Sequence, residues 1–281
     1  MKIVSFENVV AEVRAMCGKA ACLLPPDVLD ALKNGSLAET SELGKAFFQQ
    51  YLENADIAAR ENMPLCQDTG YAVYFVEIGT EVTLDRGTVE EALTEGTRQG
   101  YKDFYLRKSI VADPLFDRKN TTSNTPCIVH LKSVSGDKLK ITLAPKGGGS
   151  ENMSALKMLK PSEGRAGVVK FVVDSVVNAG GNPCPPTVVG VGIGGTMEYA
   201  AFLAKKALLR KVGEPSADPR YAELEAEILE KINASGVGPQ GLGGKITSLS
   251  CHIEFFPCHL ASLPVAVNIN CHAARHAEVE L

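Results

Sequence analysis

The sequence predicts an α/β fold, with mixed β-sheets flanked by helices and a mainly helical N-terminal segment. Three observations carry that prediction. Apolar residues recur at helical spacing through the first sixty positions. β-rich runs follow, such as Tyr71-Ala-Val-Tyr-Phe-Val-Glu-Ile78 and Val188-Val-Gly-Val-Gly-Ile193. Long helical stretches separate those runs, the pattern of sheets covered by helices. The chain has 281 residues, 45% hydrophobic and 22% charged, enough for a sizeable core.

In chain order, residues 5 to 60 read as helical. Pro25-Pro26-Asp27 opens one short helix and Asn34-Gly35 closes it. Leu43, Phe47, Tyr51 and Ala55 recur at i+4 and predict a buried stripe. Met63-Pro64 ends the helical region. A strand follows from Tyr71 to Ile78, ended by Gly79. Thr88 to Phe104 reads as a helix, with Thr88 as N-cap and Glu91 three residues on. Cys127 to Val134 and Leu139 to Leu143 predict a hairpin around Gly136-Asp137. Met153 to Leu159 reads as helix, as does Glu163 to Asn178 before Gly180-Gly181.

Val188 to Ile193 is then a buried strand, followed by Gly194-Gly195 and a helix from Thr196 to Arg210. The glycines do not form G-x-G-x-x-G, so this unit does not read as a dinucleotide turn. Asp218 to Asn233 is an amphipathic helix, and Gly236 to Gly244 is a glycine-rich loop. Strands follow at Ser248 to Phe256 and Val265 to Ile269. No repeat or linker divides the chain. It reads as one domain, 1–281, with two lobes at most and a soft boundary near residue 160.

Composition excludes several classes. Net charge is −4 with no dominant basic patch, which speaks against nucleic acid. No apolar run approaches the ~18 residues of a membrane-spanning helix. The N-terminus has an acidic residue at position 7 and no apolar core of a secretory signal, so a cytoplasmic location is expected. Eight cysteines in such a chain are core filler, metal ligands or nucleophiles, not a disulfide framework.

Three stretches do not look like core. Asn62-Met-Pro-Leu-Cys-Gln-Asp-Thr-Gly70 presents Cys66 beside an amide, a carboxylate and a hydroxyl. Ala144-Pro-Lys-Gly-Gly-Gly-Ser-Glu-Asn152 lets backbone N–H groups approach an anion, and it is not a P-loop. Asn182-Pro-Cys-Pro-Pro-Thr187 holds Cys184 rigidly between prolines. Arg107 lies on a further loop, Tyr105 to Pro114. Cys17, Cys22 and Cys127 lie among apolar neighbours and read as core. Cys251-His252 and Cys258-His259 suggest zinc by their density. Adjacent residues of a strand point to opposite faces, however, so both members of a pair cannot bind one ion.

Cys66, Cys184 and Cys271 remain as loop-borne, constrained cysteines. Three thiolates would hold an incomplete [4Fe-4S] cluster with one iron open, a Lewis acid for a substrate hydroxyl or carboxylate. Asp68 supplies an acid/base group. Arg107 and Gly147-Gly148-Gly149 supply a cradle for carboxylates.

On these motifs the chain resembles the α subunit, or N-terminal region, of class I fumarate hydratases and the related L-tartrate dehydratases. The resemblance runs from about residue 10 to the end. It is carried by Cys-Gln-Asp-Thr-Gly (66–70), Lys-Gly-Gly-Gly-Ser-Glu-Asn (146–152) and Asn-Pro-Cys-Pro-Pro (182–186). Gly-Pro-Gln-Gly-Leu-Gly-Gly (238–244) and Asn-Ile-Asn-Cys-His-Ala-Ala-Arg (268–275) complete it. It implies a [4Fe-4S] cluster on Cys66, Cys184 and Cys271. It implies that Gln67, Asp68, Arg107 and the Gly148-Gly149 backbone meet a dicarboxylate. Asn152 to Lys157 would complete that side, with His259 as a neighbour. Asp68 is the candidate catalytic residue, although a residue of a partner could be the base. Single-chain relatives carry a further domain, so a separate β subunit is expected, in a hetero-oligomer such as α2β2. Leu106-Arg-Lys-Ser-Ile-Val-Ala-Asp-Pro-Leu and Gly-Gly-Gly-Ser-Glu-Asn look more like the fumarases, which makes fumarate the first expected substrate and L-tartrate the alternative.

Overall fold

The computed structural model describes residues 1–281. In chain order, β1 (Lys2–Val4) and α1 (Phe6–Cys22) precede α2 (Pro26–Ala38) and α3 (Glu42–Glu61). Next come β2 (Tyr71–Gly79), β3 (Val82–Leu84), α4 (Val89–Asp103), β4 (Ile128–Val134) and β5 (Leu139–Lys146). A single turn, α5 (Gly148–Glu151), leads to β6 (Ala155–Leu159), α6 (Gly164–Ala179), β7 (Thr187–Gly194) and α7 (Met197–Ala207). The chain ends with α8 (Pro219–Ala234), β8 (Ser248–Phe256), β9 (Leu263–Asn270) and β10 (Ala277–Glu280). The expected α/β class, with mixed sheets and a helical start, is what the structure has.

The chain forms two compact units. The first comprises Met1–Leu24, Ala55–Gly148 and Arg275–Leu281; the second comprises Pro25–Asn54 and Gly149–Ala274. The boundary expected near residue 160 falls inside the second unit instead. Leu159 ends a strand that pairs with Leu263, so the turn after it belongs to a continuous sheet.

In the first unit the sheet order is β10-β5-β2-β4. The expected hairpin between β4 and β5 does not form. β2 lies between them, parallel to β4 and antiparallel to β5. The Gly136-Asp137 turn instead crosses the end of β2, where Gly79 donates its N–H to Lys138 at 2.8 Å. A Cβ on Gly79 would stand 2.2 Å from the Gly136 carbonyl, so the crossing needs glycine there. α1 and α4 cover one face and bury Val9, Val13, Cys17, Leu93 and Tyr101 against Tyr74, Ile141 and Leu143. α4 starts on a complete capping box, Thr88 with Glu91, as its sequence predicts.

In the second unit the order is β6-β9-β7-β8. β7 is parallel to β8 and antiparallel to β9, which pairs antiparallel with β6. The link from β8 to β9 crosses the end of β7, where a Cβ on Gly194 would stand 1.9 Å from the Phe256 carbonyl. The two sheets therefore share strand order and direction, although the sequences show no repeat. They differ in where the edge strand comes in the chain: β6 opens the second unit's sheet, while β10 closes the first's.

Three local expectations change. Met153 to Leu159 contributes the edge strand β6, not a helix, because its backbone pairs along β9 from Val267 to Leu263. α2 runs through Gly35 to Ala38. Gly35 is a packing residue, since a Cβ there would meet the Phe48 ring at 2.8 Å. The buried line on α3 is accordingly Phe48, Tyr51, Ala55 and Ala58, and Leu43 is 49% exposed.

β7 is buried along its whole length, as expected. Gly190 and Gly192 serve close packing of α7 there, not phosphate binding. A Cβ on Gly192 would lie 2.0 Å from the Ala200 carbonyl. Backbone cannot yield as a flexible side chain does. Gly192→Ala is expected to cost about 3 kcal/mol or more, and to lower Tm by roughly 6–12 °C in a thermal melt.

Candidate functional site

In the first unit, the Cys66 loop leads directly into β2. Leu65 is buried, and its N–H donates to the Ala21 carbonyl at 2.9 Å, which anchors the start of the loop. Asp68 is the most constrained side chain in it. One carboxylate oxygen accepts the Gly70 N–H at 3.0 Å and the other accepts the Gly148 N–H at 2.7 Å. The glycine-loop amide expected to face an anion thus already faces one, Asp68. The Asp68 N–H reaches Cys66 Sγ at 3.4 Å, and the thiol reaches Gln67 Oε1 at 3.3 Å.

Buried groups fix the far side of this loop. The Tyr101 hydroxyl donates toward the carbonyls of Thr69 and Gly70, 2.9 Å from each. Burial raises its pKa, so it remains a neutral donor. Asn124 Nδ2 adds a bond to Gly70 at 3.1 Å. The Thr69 hydroxyl bonds the Arg107 carbonyl at 3.2 Å, which brings Arg107, itself exposed, beside the loop. Cys66, Gln67, Asp68, Arg107 and Gly148 are therefore assembled in one place by this unit's own contacts.

In the second unit, Cys184 precedes β7 as Cys66 precedes β2. It is exposed, while Pro183 and Pro185 beside it are buried. Its φ is +54°, a left-handed conformation that costs a non-glycine residue about 1–2 kcal/mol. Its surroundings hold it there. The Cys184 N–H donates to Gly181 at 3.0 Å. The Cys184 carbonyl accepts the His272 N–H at 3.3 Å and His272 Nδ1–H at 3.0 Å. The Pro185 carbonyl accepts the Tyr51 hydroxyl at 3.1 Å and the Gln240 N–H at 2.9 Å. Gln240 Nε2 returns to the Tyr51 oxygen at 2.8 Å, and the Tyr51 ring stacks on His272 with centroids 4.0 Å apart.

Cys271 immediately follows β9 and precedes His272, so the Tyr51–His272 clamp ties it to Cys184. Gly149 belongs to the same neighbourhood, since a Cβ on it would stand 3.5 Å from the Asn182 carbonyl. The glycine-rich loop at 238–244 is fastened by Glu39, whose carboxylate accepts the N–H groups of Lys245 and Ile246. Burial pushes the Glu39 pKa up, but its N–H donors outweigh that and leave it below the usual range.

The remaining expected residues are less engaged within this unit. Asn152 is exposed after α5. Lys157 is exposed on the edge strand, its ammonium 3.9 Å from Glu163. His259 lies on the exposed link after β8, where Nδ1 accepts the Ala261 N–H at 3.1 Å. The residues that pattern reading missed are Tyr51, His272 and Arg275. Tyr51 looked like one more apolar stripe position. His272 and Arg275 stood inside a quoted motif but carried no assigned role.

The donor set fits an iron-sulfur cluster better than zinc. No cysteine is in a disulfide. Burial pushes the Cys17 thiol up to about 12, and raises Cys22, Cys127 and Cys251 as well. Desolvation disfavours the thiolate at these positions. Cys66 and Cys271 are partly exposed and Cys184 is exposed, all three on constrained loops near strand ends; Cys258 is exposed as well, on the link after β8. The N–H donor aimed at Cys66 Sγ suits a cluster thiolate. Within neither unit do three His, Cys, Asp or Glu side chains converge on one ion.

The Cys251-His252 pair is core. His252 is 1% exposed and bonds Ser250 at 2.7 Å. Burial, reinforced by Arg210, lowers its pKa from 6.5 to about 4. A depressed histidine favours folding fully above the unfolded value and loses that contribution as pH falls from 6.5 toward 4. Urea titrations should show about 2 kcal/mol of stability lost between pH 7.5 and 5 through this group, a slope absent in His252→Gln.

Comparison with known proteins shows the family. The sequence model of the Fumarate hydratase (Fumerase) family matches residues 10–280, spanning both units. The L(+)-tartrate dehydratase subunit alpha of Escherichia coli K12 is 37% identical over 270 residues, 95% of this chain and 88% of that one. A Methanocaldococcus jannaschii protein, provisionally named as an L(+)-tartrate dehydratase subunit alpha, is 46% identical over 264 residues, 92% of each chain. Fold and relatives together define a hydro-lyase subunit. The chain belongs to the fumarate hydratase family.

Proposed function

We infer that this chain is the cluster-bearing subunit of a cytoplasmic hydro-lyase that interconverts fumarate and (S)-malate. The observation that carries the reading is the sorting of the cysteines. Cys17, Cys22 and Cys251 are buried and Cys127 is partly buried, all four with raised thiols, while Cys66, Cys184 and Cys271 lie near strand ends of the two units. Those three would hold a [4Fe-4S] cluster. When bound, such a cluster supplies an open iron that polarises the carboxylate and hydroxyl of malate.

This chain's own residues do the rest. Arg107 and the glycine-loop backbone at Gly149 bind and orient the dicarboxylate, with Gln67 beside them; Gly148, expected to share that task, gives its N–H to Asp68 and fixes the loop. Asp68 exchanges the C3 proton at its carboxylate, which two backbone amides hold in place. Asn152, Lys157 and His259 rest on family resemblance alone. The relatives' names as alpha subunits support a separate β-type partner that completes the site, in a hetero-oligomer such as α2β2.

A second reading, dehydration of L(+)-tartrate to oxaloacetate, is favoured by the names of both relatives. Against it stand the fumarase-like stretches at 106–115 and 147–152. The test is anaerobic purification of the chain with its partner, iron and sulfide analysis, then turnover of fumarate, (S)-malate and L(+)-tartrate. Fumarate should give the highest kcat/KM. A tartrate preference selects the second reading. A metal-loaded complex with no lyase activity would reduce the chain to a non-catalytic metal-binding subunit.

A further inference from the structure

Arg275 opens the segment that returns to the first unit, two residues before β10. It is only 6% exposed. Its Nη2 donates to the Asp68 carbonyl at 2.7 Å, while its Nε is enclosed without a hydrogen-bond partner. No carboxylate forms an ion pair with it. Asp68 turns its own carboxylate to the amides of Gly70 and Gly148 instead. Cys22 and Tyr101 also lie within the field of Arg275, and Tyr101 lies within that of Asp68 as well. Burial raises the pKa of both, and each is neutral. A buried guanidinium that no carboxylate pairs directly is costly, because its nearest carboxylate, Asp68, is turned to the amides of Gly70 and Gly148. A helix or strand terminus could satisfy one carbonyl far more cheaply. The charge therefore answers to an anion that arrives.

We propose that Arg275 is a positioning residue of the site. It holds the main chain at Asp68 and sets a fixed positive charge behind the Cys66 loop, which a dianionic substrate compensates. This rests on the hydro-lyase reading. A bond to one carbonyl alone would need only a donor; the second role needs the charge. Lysine keeps donor and charge, while glutamine keeps a donor without charge.

The test compares Arg275→Lys and Arg275→Gln in the complex with its partner subunit. Succinate, a saturated four-carbon dicarboxylate that cannot react, serves as the binding probe. Iron, sulfide and the urea midpoint are measured alongside. Arg275→Gln should raise the inhibition constant of succinate at least about tenfold with iron content retained. Arg275→Lys should stay within about threefold of the native enzyme. If Arg275→Gln does not accumulate, Arg275→Met replaces it with the same expectation. Equal succinate binding in all variants overturns the proposal, as does an equal loss in both that tracks iron and stability. If the native complex turns over neither dicarboxylate, the hydro-lyase reading itself has failed and this inference falls with it.

Discussion

A Cys184→Ser enzyme, purified anaerobically with its partner, is expected to lose lyase activity by about 10³-fold or more, together with most of its iron and sulfide. Serine oxygen is a poor soft-metal ligand, so one thiol of three is removed. The fold should survive. Hydrogen bonds from its N–H, its carbonyl and its neighbours hold this residue at φ +54°, and those remain in the serine variant. Cys258→Ser is the matched control. Cys258 is also exposed, but its thiol bonds the Ser262 carbonyl on the link after β8. Activity and iron should be unchanged there. Full iron content in Cys184→Ser would remove this residue from the ligand set.

Asp68→Asn is expected to keep its iron and lose about 10²–10⁴-fold in kcat. Both oxygens of Asp68 accept backbone N–H groups, from Gly70 and Gly148. An asparagine can satisfy only one of these; its amide nitrogen would face a second donor, at a cost of about 1–3 kcal/mol. The kinetic split separates two roles. A lost base lowers kcat with KM little changed, whereas a displaced glycine loop raises KM. A kcat within threefold of the native enzyme would leave the proton transfer to the partner subunit.

Much of this was legible in the residues because local chemistry decided it. The Thr88–Glu91 capping box, the β2 run and the proline-locked Cys184 each declare themselves within a few positions. The misreadings share one cause, a long-range partner that no local pattern contains. β4 and β5 look like a hairpin until β2, from fifty residues earlier, is placed between them. Met153 to Leu159 looks helical until β9 pairs with it. Arg275 becomes visible only through Asp68, 207 positions away. Burial of cysteines followed local pattern in part: apolar neighbours foretold the burial of Cys17 and Cys22, and flanking prolines the exposure of Cys184, whereas Cys127 is only partly buried.

The shared strand order has a bearing on stoichiometry. In each unit the central strand begins beside the end of its antiparallel neighbour: Tyr71 pairs with Lys146, and Val188 with Asn270. Each pairing exposes two chain positions, one leading into the central strand and one leaving its neighbour. Across the duplicated architecture this makes four corresponding positions. Cysteines occupy three of them, at 66, 184 and 271, and Gly147 occupies the fourth. On the cluster reading, the count of thiols stops at three because the first unit has Gly147 where the second has Cys271.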